Sequence, residues 1–208
     1  MSLLEPKNNC RFCKRLNNFL KIQRKKNREW HNSPVKGIGS IDSKFLIVGL
    51  APGLKGANVT GIPFTGDYSG KLLISNLKKY SFLDQNEFFT SNMNLRITNV
   101  VKCVPPRNRP LAIEINNCRQ YLISEIQNMK NLRIILSLGH VAHKSVLNIF
   151  NKKLKDYKFK HLAKHYLNNK ILLVNSYHCS KYNINTKLLK IEEFEKVFIF
   201  IKNKLINF

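Results

Sequence analysis

The chain has 208 residues, 43% of them hydrophobic, which is enough for one domain with a sizeable buried core. Lys and Arg number 36 against 12 Asp and Glu, a formal net charge of +24. No apolar run is long enough to span a bilayer or reads as a leader, and five cysteines make an odd number, so neither a membrane span nor a disulfide framework is expected. A soluble, cytoplasmic monomer is expected, associated with the nucleoid if bacterial. The charge attracts polyanions, nucleic acid first. A chain crowded with Lys, Asn and Ile also carries part of that charge as compositional bias on a solvated face.

In chain order, Cys10-x-x-Cys13 comes first, and a helix is expected after it. Residues 44–49 (KFLIVG) are short, β-branched and bounded by glycine, and read as a buried strand. A glycine-rich segment follows, from Gly49 to Gly70. Its small residues let the backbone approach a ligand, although a plain structural turn is the alternative. It is no phosphate-binding P-loop, because Gly61-x-x-x-x-Gly66 continues into Asp67-Tyr68 rather than Lys-Ser/Thr. Residues 70–80 carry helical spacing. Residues 96–103 (RITNVVKC) read as a second strand, and 112–130 as a helix that starts after Pro110 and places Ile115, Cys118, Leu122 and Ile126 on one face.

A third strand is expected at 133–139, a helix at 140–151, a fourth strand at 171–176 and a last helix at 187–206. Between them, residues 152–166 mix lysines with aromatics, as a DNA contact or a solvated surface would. Strands alternating with helices predict an α/β domain with a parallel sheet covered on both faces. Ligands of such sheets bind beyond the carboxyl ends of the strands. That points to residues 50–70, the stretch after Cys103, and residues 139–143 and 177–185.

Cys10 and Cys13 lie about one helical turn apart. Cys103 ends a predicted strand and Cys118 sits in the following helix, so strand end and helix can bring these two together. Four thiolates can hold zinc or an iron–sulfur cluster. The loose second pair and the distance between pairs suit a bulky cluster better than a zinc ribbon. Buried structural thiols beside a chance C-x-x-C remain the plain alternative. Cys179, in another loop, is not expected to be a ligand.

Three ordered stretches, GLAPGLKGANVTGIPFTGDYSG (49–70), TNVVKCVPPRNRPLAIEINNC (98–118) and NSYHCSKYNINT (175–186), together with the four cysteines, resemble the uracil-DNA glycosylase superfamily. The type 5 iron–sulfur branch is the nearest in pattern, since the related type 4 branch usually has an acidic residue where Leu50 stands and lacks the TGD-x-SG ending. The resemblance implies one domain over residues 1–208, a three-layer α/β/α sandwich around a four-stranded parallel sheet. It further implies a structural [4Fe–4S] cluster on Cys10, Cys13, Cys103 and Cys118. The implied activity is base-excision repair: removal of uracil, and of some other deaminated bases, from double-stranded DNA.

That chemistry requires the nucleotide to be flipped into a pocket. Cleavage then leaves an oxocarbenium-like sugar and a departing base anion, both of which need stabilising. Phe64 is expected to stack on the base, or else to be ordinary core. Asn99 offers the donor and acceptor that a uracil edge demands. Backbone groups of Ala51, Pro52 and Gly53 line the remainder, and His178 donates to the carbonyl oxygen that gathers charge. Asp67 is expected to orient water or stabilise the cationic sugar, or else to cap the helix beginning near Ser69. Lys181, Tyr182, Asn183 and Asn185 are expected to contact DNA.

The match has gaps. Cys179 replaces a proline usual after the histidine and is expected to loosen the loop and add an oxidisable thiol. Val59 and Ile62 replace common arginines, and Lys187 replaces a glycine. A type 4 enzyme, an inactive iron–sulfur DNA-binding module and a zinc-stabilised RNA- or nucleotide-binding protein are the competing readings.

Overall fold

The computed structural model describes residues 2–85 and 93–207. Helix α1 (Lys14–Lys26) precedes a two-residue strand β1 (Ile38–Gly39) and strand β2 (Phe45–Gly49). Then come a short α2 (Ala57–Thr60), α3 (Tyr68–Lys79), β3 (Arg96–Asn99), α4 (Ala112–Asn128), β4 (Ile134–Leu138) and α5 (His140–Ile149). The chain closes with β5 (Lys164–Tyr166), β6 (Leu172–Ser176), α6 (Lys181–Asn185) and α7 (Ile191–Ile206).

The strands form one sheet in the order β1-β3-β2-β4-β6-β5. The four inner strands are parallel, as expected. Two further strands, β1 and β5, pair antiparallel at the two edges and widen the expected four-stranded centre to six strands. Both escape sequence reading for a physical reason. β1 is too short to show a period, and β5 turns Lys164 and Tyr166 to solvent, so no apolar alternation marks it.

Alternation along the inner strands sorts the core into two halves. Phe45 and Ile47 pack with Leu73 and Leu77 of α3 and with Phe194 and Phe198 of α7. Leu46 and Val48 pack with Leu16 of α1, Leu122 of α4 and Val146 of α5. The result is a three-layer α/β/α sandwich. Helix α7 shows how the sequence builds a layer, since Phe194, Val197, Phe198 and Ile201 fall on one face at helical spacing and all are buried. Among the described residues, no helix is long and apolar enough to cross a membrane.

The second strand is shorter than its apolar run suggested. Residues after Asn99 leave the sheet while staying buried, and Val100 and Val101 donate to the carbonyls of Gly49 and Leu50 at 2.9 and 3.0 Å. A charged cluster lies under β3 and the segment that follows it. Glu125 of α4 accepts from Arg96 Nη2 at 2.9 Å and Lys102 Nζ at 2.8 Å, and Thr98 Oγ1 donates to it at 2.8 Å. Arg96, Lys102 and Glu125 are all buried. Burial alone would raise the Glu125 pKa, but the two cations and their hydrogen bonds hold it below the ordinary carboxylate value.

The connection from β2 runs to α3 on one face, whereas those from β3 and β4 run to α4 and α5 on the other. Adjacent strands whose connections diverge leave a crevice at their carboxyl ends.

Candidate active site

A cavity of about 260 Å³ occupies that crevice. Its lining includes Ala51, Pro52, Gly53, Phe64, Asp67, Asn99 and His178. These are the seven pocket residues expected from the sequence, brought together from three separate stretches of chain.

Gly49 makes the inner wall possible. A Cβ there would lie 2.6 Å from Phe64 Cζ and closer still to Asn99 Oδ1, so only glycine admits both side chains at the end of β2. Asn99 ends β3 and is buried. Phe64 is buried as well, at φ 56°, a left-handed conformation uncommon for a bulky residue. Its ring faces that of His178, with centroids 6.3 Å apart and planes inclined by 26°. The two rings are roughly parallel at a separation within the ordinary stacking range, and both side chains line the cavity.

Asp67 takes both of the expected positions. Its Oδ1 accepts from Gly70 N at 2.9 Å and caps α3. Its Oδ2 lies toward Gly53 and Gly56, where added Cβ atoms would stand 2.8 and 2.6 Å from it. The two glycines therefore clear a berth for a carboxylate on the cavity wall.

His178 follows β6 and is held from behind. Asn183 Nδ2 donates to its carbonyl at 2.8 Å, and the thiol of the next residue, Cys179, donates to Ser69 O at 3.6 Å. Burial lowers the His178 pKa, and the Asp67 charge offsets only part of that, so the imidazole is neutral at pH 7. Cys179 does not loosen the loop. It ties the loop to the start of α3, and burial pushes its thiol up to about 12, which leaves it protonated and poorly reactive.

The expected DNA contacts lie on α6, beyond the cavity-lining Ser180. Lys181, Tyr182 and Asn185 are exposed, Tyr182 at 73%. Asn183, by contrast, is engaged in supporting His178. In residues 152–166 Tyr157 and Phe159 are partly buried, with Phe159 packing on Tyr177 and on His140, whereas Tyr166 and most of the lysines face solvent. Lys187 adopts φ 58°, the left-handed conformation that favours glycine at this place. Sequence reasoning passed over Asn108 and Ser180, which also line the cavity. The Pro-Pro-Arg-Asn turn was the available signal for Asn108.

Away from the cavity, Cys103 and Cys118 are buried and Cys10 and Cys13 partly so, all as free thiols. Burial raises the Cys103 pKa, and the charges of Cys118, Cys10 and Cys13 raise it further, so the four sulfurs lie within electrostatic reach of one another. Cys118 is raised to about 11, chiefly by burial. Donors face the sulfurs: Asn117 Nδ2 lies 3.6 Å from Cys13 Sγ, Tyr121 Oη lies 3.7 Å from Cys10 Sγ, and the Lys102 backbone N–H addresses Cys118. Among the described residues, no three His, Cys, Asp or Glu side chains are grouped to hold a single metal ion.

Residues 36–202 match the family described as Uracil DNA glycosylase superfamily. The chain belongs to that superfamily. Within it, the chain is 32% identical to the type-5 uracil-DNA glycosylase of Thermus thermophilus over 148 residues, 69% of this chain and 68% of that one. It is 32% identical to the type-5 enzyme of Pyrobaculum aerophilum over 150 residues, covering 68% of this chain and 66% of that one. Its likeness to the type-4 uracil-DNA glycosylase of Archaeoglobus fulgidus, also 32%, covers 56% and 54%. The fold is shared with the crystal structure of Pedobacter heparinus SMUG2, at TM-score 0.54 and 14% identity, covering 100% of this chain and 94% of that one. Superfamily membership implies a glycosylase-type hydrolase with DNA as substrate.

Proposed function

We propose that the protein is a type 5 monofunctional glycosylase that removes uracil, and other deaminated bases, from double-stranded DNA and leaves an abasic site. The observation that carries this reading is the convergence of an aromatic ring, a buried amide, a neutral imidazole and a carboxylate on one cavity.

A flipped base enters between Phe64 and the Ala51–Gly53 backbone. Asn99 pairs with its edge, and a pyrimidine dione offers the complementary donor and acceptor. The electron pair of the N-glycosidic bond departs with the base, and charge gathers on a ring carbonyl. His178, being neutral, donates a hydrogen bond there without having to lose its proton. Asp67 Oδ2 holds the attacking water and faces the cationic sugar, while Oδ1 stays committed to its cap. The water oxygen bonds to the sugar carbon, and a proton is left for the base or solvent. Lys181, Tyr182 and Asn185 engage the surrounding duplex, with the +24 charge drawing it in.

Cys10, Cys13, Cys103 and Cys118 suit a [4Fe–4S] cluster. The four thiols lie within electrostatic reach of one another, and Asn117 Nδ2 and Tyr121 Oη lie beside Cys13 and Cys10, which supports a thiolate-bound group; a cluster spreads its ligands more widely than a single ion does. When bound, it supplies a structural staple between the N-terminal segment and α4, apart from the base cavity.

The test is uracil release from an end-labelled U:G duplex, read as alkali-sensitive strand breaks. Release without lyase cleavage is expected. Inertness toward uracil, hypoxanthine and xanthine alike would overturn the assignment.

A further inference from the structure

The cavity has an inner wall and a rim. Phe64 and Asn99 form the buried wall, whereas Asn108 lines the cavity from an exposed position. A nucleotide that enters base first leaves its sugar and phosphate at the rim, beside Asn108. The side-chain amide of Asn108 has no hydrogen-bond partner among the described residues.

The loop that presents this amide is held in an unusual shape. Arg107 and Asn108 are both left-handed, at φ 55° and 54°, and consecutive non-glycine residues of that kind persist only where surroundings enforce them. Pro105 and Pro106 stiffen the entry, and Asn108 N donates to Pro105 O at 3.1 Å. The exit is clamped from another element. Arg15 of α1 donates from Nη2 to Arg109 O at 3.1 Å. The same guanidinium meets Glu114 in a fork, Nε to Oε1 at 2.8 Å and Nη2 to Oε2 at 2.6 Å. Glu114 is buried and also accepts from Leu111 N at 2.8 Å. The clamp thus joins the segment just after Cys13 to the mouth of the cavity.

Resting on the proposed glycosylase reading, we infer that Asn108 contacts the sugar–phosphate of the extruded nucleotide, and that Arg15 and Glu114 are positioning residues that hold it at the rim. A neutral amide donor suits a phosphate oxygen and adds no charge that would bind undamaged DNA equally well. The planar fork of Arg15 fixes the loop in direction as well as distance, which a lysine there would not.

The experiment compares full-length wild type, Asn108→Ala, Arg15→Lys and the double variant on a U:G duplex. KM and kcat are measured for uracil release, and affinity is measured for a duplex carrying a tetrahydrofuran abasic analogue and for undamaged duplex. Asn108→Ala should raise KM and weaken analogue binding about tenfold or more, as expected for one lost hydrogen bond to a charged group, while kcat and undamaged-DNA binding stay within about twofold. Arg15→Lys should reproduce part of the KM effect and add little to Asn108→Ala, a non-additivity that independent sites do not show. Iron content equal to wild type in Arg15→Lys separates the clamp from loss of the cysteine centre. Unchanged KM and analogue affinity in Asn108→Ala overturn the contact, and full additivity in the double variant overturns the clamp. A wild type that neither releases uracil nor binds the analogue instead removes the underlying glycosylase reading.

Discussion

Replacing Gly49 by alanine adds one methyl group at the end of β2 and tests the whole pocket. The new Cβ would stand 2.6 Å from Phe64 Cζ, where ordinary contact begins at 3.4 Å, and it would crowd Asn99 Oδ1 even more. The Phe64 ring must therefore withdraw by about 0.8 Å, or the strand end must shift by a comparable amount. Overpacking of this kind costs about 1–3 kcal/mol of stability. In a chain of this size that lowers Tm by roughly 2–4 °C per kcal/mol, so the variant stays folded at 25 °C. The functional cost is larger in proportion. A displacement near 1 Å of groups that position a reactant lowers the rate on the order of 100-fold. The assay is single-turnover uracil release from a U:G duplex at saturating enzyme, with circular dichroism and undamaged-duplex binding as controls for folding and the basic surface. Retention of more than about a third of wild-type rate, with the fold intact, would refute the claim that Phe64 and Asn99 act from their observed positions.

His178→Ala should lower the rate about 10²–10³-fold, the usual cost of one donor to a developing anion, with undamaged-DNA affinity preserved. Because burial lowers the His178 pKa, the neutral and active ring persists as pH falls below the ordinary imidazole value of about 6.5; a kcat/KM profile whose His-dependent limb lies above that value contradicts the assignment. Glu125→Gln leaves Lys102 buried without its anion and Arg96 with only the more distant Glu5 at 3.8 Å, and should cost about 3–5 kcal/mol in urea or thermal unfolding. In wild type the Glu125 pKa is depressed on folding, so its contribution is complete above the unfolded carboxylate value of about 4.3 and is lost only as pH falls through the lower folded value. On the proposed cluster, wild type should purify with iron and labile sulfide and Cys118→Ser should lose both; iron bound at wild-type stoichiometry in the variant would exclude Cys118 as a ligand.

Much of the architecture was legible because it follows from local pattern. Short β-branched runs marked β2, β4 and β6, and helical spacing marked α3, α4 and α7, since inner strands and half-buried helices must place apolar groups at fixed periods. The pocket residues were legible from three quoted stretches that sit after strands, where an α/β sheet opens. The misses share a cause as well. β1 and β5 derive their order from a neighbouring strand rather than from their own period. Residues 100–103 look like a strand, but they leave the ladder and are held by distant partners, Val100 and Val101 by the carbonyls of Gly49 and Leu50 and Lys102 by Glu125, 23 residues further along.

The sequence by itself determined the parallel α/β layering and the strongly basic charge, because composition and period depend only on neighbours along the chain, and its three motif stretches nominated the groups proposed for base chemistry. Tertiary structure alone decided that Asp67 both caps a helix and faces the cavity, that Asn183 supports His178 from behind, that Cys179 is inert, and that Arg15 grips the loop of Asn108. Each of these is a contact between distant stretches, set by how helices and loops pack around one sheet, and no local pattern encodes such distances.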